Sequence, residues 1–277
     1  MSAKKVLCVN SWIIDLKLFN FKLSKLFLVR LSSVSLSIAF FGIFLLIFLS
    51  VYIQYVCAAP LSMSLIDTYQ DNAPPGSIDG ARGMQIDTSR NITFVSSFTD
   101  DSLTGINVSN PYNLSVYGSI SVSAPLGSLD GLWFGFLDSN NLFYGPSSVD
   151  STTSWYNVSS STFVFVNDTA VDTAGAGSQQ GSYDVVIVNT DSTKWLITGG
   201  QTDDYVSSFN VTNPFARPTV VGSFTDTLGA CSVDGVTKLY NIPGTTYVIV
   251  AATVDSYITL LNISPSGAIT CIGSGYT

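Results

Sequence analysis

The groups in this chain that could do chemistry are carboxylates and thiols. All 19 acidic residues are Asp, and there is no Glu and no His. Without His the usual general base, the Ser-His and Cys-His nucleophile pairs and the commonest metal ligand are missing. A zinc enzyme or a triad hydrolase is therefore excluded as an expectation. The carboxylates that recur in register are the acidic turns Asp100-Asp101, Asp150, Asp203-Asp204 and Asp255. On a ring of repeated units they would fall on one face, as candidate ligand-binding turns. Carboxylates in loops can hold Ca²⁺, but none of these turns has the Asp-x-Asp-x-Asp-Gly spacing of a calcium loop. Asp is also a preferred turn residue because it bonds its own backbone. No cofactor is expected, Ca²⁺ being the only ion the turns suggest. Glycoside hydrolysis needs two acids on either side of a cleft, and 18 Asp beyond residue 58 make an accidental pair easy to find. The run Ala174-Gly-Ala-Gly-Ser178 lacks the Lys of a phosphate-binding loop and reads as a connection.

Seven Asn-x-Ser/Thr sequons lie beyond residue 58, at Asn91, Asn107, Asn113, Asn157, Asn167, Asn210 and Asn262. In a translocated domain they are candidate glycosylation sites. The bland reading is repetition and composition, since 14 Asn in that region stand among abundant Ser and Thr.

The elements that must position these groups are short strands. From about residue 81, β-branched and aromatic runs alternate with Asp/Asn/Gly/Ser clusters, the pattern of strands joined by tight turns. Four segments superpose: Thr104-Gly-Ile-Asn107-Val-Ser, Ser154-Trp-Tyr-Asn157-Val-Ser, Ser207-Ser-Phe-Asn210-Val-Thr and Thr259-Leu-Leu-Asn262-Ile-Ser. A pair that would end a strand (Phe94-Val95, Phe143-Tyr144, Ile197-Thr198, Ile249-Val250) precedes each, with the acidic turn between. Ile86-Asp87, Leu137-Asp138, Thr190-Asp191 and Val233-Asp234 read as the close of an earlier strand. Four strands recurring about every 50 residues are a propeller signature. The fold class is therefore all-β, a four-repeat β-propeller with repeats at about 81–128, 129–178, 179–226 and 227–277. Four blades can close a ring, and a larger ring of which these are part is the alternative.

The segments Leu103-Thr-Gly-Ile-Asn-Val-Ser-Asn-Pro-Tyr-Asn-Leu-Ser-Val-Tyr-Gly-Ser119 and Tyr205-Val-Ser-Ser-Phe-Asn-Val-Thr-Asn-Pro-Phe-Ala-Arg-Pro-Thr-Val-Val-Gly-Ser223 resemble LVIVD repeats. The resemblance covers 81–277 as two good and two degraded copies. Asn107 and Asn210 stand where that family more often has Asp, and the second repeat lacks Asn-Pro. What the resemblance implies is a β-propeller, commonly on exported or surface proteins, and no defined activity.

Ahead of the repeats, no charged residue occurs from Leu31 to Ile66, and six basic residues precede it against one Asp. Residues 34–57 are long enough and apolar enough to span a bilayer as a signal-anchor helix. The basic segment 1–33 then stays cytoplasmic, and 58–80 forms a linker to a domain on the extracellular or lumenal side. A cleaved signal peptide, with Val56-Cys57-Ala58-Ala59 at the cut, is the competing reading. Beyond residue 58 only five basic residues face the 18 Asp, so nucleic acid is not an expected partner. Cys231 and Cys271 fall on the first and last strands of the fourth repeat in this reading, too far apart to join. They are expected to be free and buried. The functional expectation is a membrane-anchored binding or structural module for a protein or glycan partner, without evident catalytic apparatus. The alternatives are an Asp-based glycan-active hydrolase or lyase, and a non-functional piece of a larger propeller.

Overall fold

A computed structural model describes residues 78–122, 126–169, 179–225 and 231–276. The basic segment 1–33, the apolar segment 34–57 and most of 58–80 lie outside the described residues, with Cys8 and Cys57.

Among the described residues, sixteen strands form four antiparallel sheets of four, each sheet built from consecutive strands. Blade 1 holds β1 (Ala81–Asp87), β2 (Ile92–Ser97), β3 (Ser102–Asn107) and β4 (Ser115–Ser121). Blade 2 holds β5 (Phe136–Leu137), β6 (Leu142–Ser147), β7 (Thr152–Asn157) and β8 (Val164–Asp168). Blade 3 holds β9 (Ser182–Thr190), β10 (Thr193–Gly200), β11 (Tyr205–Asn210) and β12 (Val220–Thr225). Blade 4 holds β13 (Val236–Asn241), β14 (Tyr247–Ala252), β15 (Tyr257–Ile263) and β16 (Ile269–Tyr276). The architecture is all-β and propeller-like.

The recurring residues explain why each blade turns where it does. Asn107, Asn157 and Asn210 close β3, β7 and β11, and their side-chain oxygens accept from the backbone N–H two residues on, at 2.9, 2.9 and 3.0 Å. That is the Asx turn, in which a short side chain substitutes for backbone in reversing the chain. Between second and third strands, Asp101, Ser151, Asp204 and Ser256 take positive φ, at 49°, 56°, 55° and 57°. Small polar residues tolerate that left-handed region better than β-branched ones. Each first strand is approached through a glycine of positive φ (Gly80, Gly131, Gly181, Gly235).

A four-stranded sheet has two apolar faces here, and where blades adjoin each covers a face of its neighbour. Ile92, Phe94 and Leu103 of blade 1 pack on Leu129, Leu132, Phe143 and Tyr156 of blade 2. Leu142, Tyr144 and Trp155 of blade 2 pack on Val185, Ile187 and Leu196 of blade 3. Trp195, Ile197 and Val206 of blade 3 pack on Val236, Leu239, Val248 and Leu261 of blade 4. These are three inter-blade cores for four blades. Polar bonds tie the same interfaces. The Trp155 indole N–H donates to the Pro214 carbonyl at 2.9 Å, and Arg90 donates to the Val158 carbonyl at 2.6 Å.

One sequence expectation fails outright. Cys231 and Cys271 are joined in a disulfide, with Cα atoms 6.2 Å apart. The reading of Val233-Asp234 as the close of a first strand put Cys231 on that strand. Instead β13 begins at Val236, and Asp234-Gly235 is the turn that leads into it, matching Asp79-Gly80 and Asp130-Gly131. Cys231 therefore precedes the blade. The incoming segment crosses the end of the sheet, where the Ser232 carbonyl accepts from the Thr259 hydroxyl and the Ser232 hydroxyl donates to Asp255 at 2.6 Å. That crossing carries Cys231 past the middle strands to β16.

Candidate functional site

The first strands of the four blades, β1, β5, β9 and β13, supply the walls of a cavity of about 470 Å³. Gln85 comes from β1, Phe136 from β5, Asp184 and Asn189 from β9, and Lys238 and Tyr240 from β13. No single repeat builds this place.

Asp184 is the one acid that lines it among the described residues. The side chain is 2% exposed, yet one carboxylate oxygen lies 3.0 Å from the Lys238 ammonium. The same oxygen accepts the Leu239 backbone N–H at 2.8 Å. Burial pushes the Asp184 carboxyl up to about 6, while Lys238 and the N–H groups of Leu239 and Val185 hold it from rising further. Desolvation disfavours the ionised form, and it outweighs the cation here. Lys238 is half exposed, and its ammonium also sits 3.9 Å from the centre of the Phe134 ring. A carboxylate that changes protonation near neutrality can accept a proton from water. A cation beside it can face an oxygen that gains negative charge. Phe134, Asp184 and Lys238 each stand third after the glycine that opens their blade; in blade 1 that place is Gly83. A side chain there would run into the Trp133 carbonyl. One position further toward the glycine, Arg82 lies 4.6 Å over Trp133, which stacks on Tyr183 at 4.3 Å.

The acidic turns are elsewhere and are engaged mainly by backbone. Asp101 accepts the Gly131 N–H at 2.9 Å, and Asp204 accepts the Gly235 N–H at 3.1 Å. Each bond runs from one blade's turn to the glycine heading the next blade. Asp100 accepts the Asp79 N–H at 2.8 Å, and Asp255 accepts from Ser232. Asp203 lies beside the Gln180 amide, within 2.9 Å once that amide is turned to donate. Asp150 acts on Asp130, where burial together with the charges of Asp101 and Asp150 raises the carboxyl above the ordinary Asp value. Among the described residues no group of three or more Cys or Asp gathers as a metal-binding set. Of the sequons, Asn91, Asn113, Asn157 and Asn210 are exposed, whereas Asn107, Asn167 and Asn262 are half-buried.

Asp184 and Lys238 were not picked out by sequence. The signal was present: a charged residue in the middle of an otherwise apolar first strand, at the same count from the opening glycine in adjacent repeats. Apart from Arg82, each basic residue among the described ones is ion-paired to an Asp. Lys194 meets Asp138 at 2.7 Å, Arg217 meets Asp168 at 2.7 Å and Arg90 meets Asp87 at 2.5 Å.

No known protein family matches the chain, and no curated protein matches its sequence. Solved structures do resemble it in fold. A Bacteroides uniformis protein assigned as a 6-phosphogluconolactonase superposes with a TM-score of 0.56 at 12% identity, over 71% of this chain and 57% of that one. A protein from Lactobacillus plantarum gives 0.55 at 15% identity, over 79% and 65%. The periplasmic gluconolactonase of Pseudomonas aeruginosa gives 0.52 at 12% identity, over 70% and 53%. The chain thus spans between about half and two thirds of the length of these structures. At such identities the likeness is one of fold. It nevertheless overturns the expectation of a binding or structural module without catalytic apparatus. The solved folds it resembles include proteins named as lactone hydrolases, and the first strands here converge on a buried Asp, its acid raised by burial, beside a cation.

Proposed function

We propose that this propeller is a hydrolase whose reaction centre is Asp184 with Lys238, acting on a small sugar-derived lactone. The observation that carries the reading is the Asp184 carboxyl, buried at the wall of a cavity shared by all four first strands and raised to about 6 beside the Lys238 ammonium. A two-carboxylate glycosidase fits less well, because Asp184 is the one acid lining this cavity among the described residues. Opening a lactone needs one base and one oxyanion partner. The solved propellers named for 6-phosphogluconolactone and gluconolactone hydrolysis point to the same substrate class.

In the reaction, ionised Asp184 takes a proton from water as the water oxygen bonds to the lactone carbonyl carbon. The carbonyl oxygen gains the negative charge next to Lys238. The ring C–O bond then breaks, the ring oxygen leaves with the proton held by Asp184, and an open-chain hydroxy acid results. The amides of Gln85, Asn189 and Asn241 and the rings of Phe136 and Tyr240 line the cavity and suit a polyhydroxylated ligand. The disulfide agrees with placement on the oxidising side of a membrane. The signal-anchor reading of 34–57, glycans at the exposed sequons and an LVIVD-type origin of the repeats belong to the same proposal.

The test is proton release by the full chain on a panel of aldonolactones, with and without a phosphate ester, and on aryl glycosides, after subtraction of spontaneous opening. The expected rate has a rising limb near pH 6 and falls about 10²–10⁴-fold in Asp184→Asn. Lys238→Met should lower the rate at pH 7 and move the limb upward, because the cation is what holds the carboxyl down. Full activity in folded Asp184→Asn sinks the assignment. Activity on glycosides alone sinks the substrate class.

A further inference from the structure

Matched positions in the four blades are buried in three of them and exposed in the fourth. On the second strand the residues facing the next blade are Ile92 and Phe94, Leu142 and Tyr144, and Trp195 and Ile197, all at 6% exposure or less. Their counterparts on β14 are Tyr247 and Ile249, and Tyr247 is 39% exposed. On the third strand, Leu103, Thr153 and Val206 are fully buried, while the matching Ile258 is 47% exposed. Tyr240 of β13, paired with Ile249, is 55% exposed on the same face. Blade 1 has the complementary gap. Fourth after the opening glycine, Val185 and Leu239 are buried against the preceding blade, whereas Met84 is 61% exposed. Ala81 is exposed where Leu132, Ser182 and Val236 are buried.

The turn and the opening glycine of the joint recur at the two ends. Within the chain, the left-handed turn residue of blades 1 and 3 meets the opening glycine of the next blade, as Asp101 meets Gly131 and Asp204 meets Gly235. Blade 4 presents Asp255-Ser256, with Ser in the left-handed place as Ser151 is in blade 2, and blade 1 opens on Asp79-Gly80. The two faces belong to one kind of interface, yet both carry exposed apolar side chains, so they do not cover one another. The four blades are an open arc.

We propose that a second copy of this chain closes the ring, blade 4 of each copy packing on blade 1 of the other. The contact is head-to-tail, and two copies related by a two-fold axis satisfy both ends at once, giving eight blades, within the range that propellers adopt. The partner is specified by continuity with the three interfaces the chain already makes: a blade opening on a left-handed Gly, with small or apolar residues first and fourth after it, as in Leu132 and Gly135, Ser182 and Val185, and Val236 and Leu239. Ala81 and Met84 meet that pattern.

Gly199 supplies the geometry for a test, because a Cβ built there would fall against the Val236 side chain across the joint between blades 3 and 4. The matching pair at the open ends is Ala251 and Ala81. Full-length chain with Cys8→Ser and Cys57→Ser, carrying Ala81→Cys in one tagged copy and Ala251→Cys in another, should form a mixed disulfide on mild oxidation. Sedimentation of the unmodified full chain should give a dimer, and Ile258→Asp, which alters a side chain already in solvent, should weaken association at least tenfold with the melting temperature of the blades unchanged. A chain that stays monomeric up to roughly 100 μM, far above the micromolar range of a specific interface, overturns the proposal. So does an intramolecular bridge between positions 81 and 251 in a chain that carries both substitutions, which would mean that four blades close by themselves.

Discussion

Two sets of aspartates share a residue type and almost nothing else. At the blade turns, Asp101 and Asp204 each receive a backbone N–H from the neighbouring blade, and their work is to hold blades in register. In the cavity, Asp184 receives a backbone N–H too, but its side chain is buried and its acid is raised to about 6. Asp130 lies between these cases: its carboxyl is also raised, by burial and by the charges of Asp101 and Asp150, with no cation among the causes. The difference teaches where to look for chemistry in an Asp-rich chain. Recurrence in every repeat marks the scaffold. A carboxylate that occurs once, at a ring position its counterparts fill with Gly, Phe and Lys, marks a site.

The largest effect that separates the two sets is on stability against pH. Asp184 is raised in the folded protein, so the native state holds its proton over a range where the unfolded chain has lost it. Its contribution to stability is then fully retained below about pH 4 and is lost as pH rises through the folded value of about 6. Asp184→Asn removes that loss and keeps an acceptor for Leu239. The variant should melt roughly 5 °C or more above the parent at pH 8, a gain on the order of 2 kcal/mol, and together with it at pH 4. A lower melting temperature at pH 8 would mean that the Lys238 pair outweighs burial, and the comparison would fail.

The turn set should answer with the opposite sign. Asp204→Ala deletes the acceptor for Gly235 and leaves an alanine at a φ of 55°. A charge-assisted bond of this kind contributes about 1.5–3 kcal/mol, so thermal or urea unfolding near neutral pH should register a loss of that order. Catalysis should be unaffected apart from the fraction unfolded. A variant with intact stability and lost activity would move the acidic turns into the site.

How much of this could be read from the chain follows the same division. The Asn spacing located the ends of β3, β7 and β11, and the acidic turns fell between second and third strands, because turn chemistry is local and each turn carries its own reason in two or three residues. The disulfide was misread by a local slip: Asp234-Gly235 opens β13, and taking Val233-Asp234 as a strand end shifted Cys231 by a whole strand. The Asp184–Lys238 pair was not read from the chain, because a charged residue third after the opening glycine in adjacent repeats does not by itself say that the two meet. They meet only when β9 and β13 stand side by side, and that juxtaposition is set by inter-blade packing of Val186, Val188, Val236 and Leu239. The open ends were equally hidden, since Tyr247 and Ile258 look like the core residues that their counterparts are.

Asp130 gives the smallest test and the one that joins the two sets. Its raised acid comes from burial first and then from two like charges, so neutralising it relieves repulsion without removing a proton acceptor from the cavity. Here too the folded value lies above the unfolded one, and stability is lost as pH climbs through that window. Asp130→Asn should therefore raise the melting temperature at alkaline pH, by less than Asp184→Asn, and change nothing below the ordinary Asp range. The gain should shrink without vanishing in an Asp101→Asn background, because Asp101 supplies a like charge and a shared hydrogen bond at Asp130 while burial and Asp150 remain. At Asp184 no such dependence on Asp101 is expected. If Asp101→Asn altered the pH limb of hydrolysis as well as the stability of the turn, the scaffold acids and the cavity acid would be one coupled system, and the distinction between recurrent and solitary carboxylates would have to be abandoned.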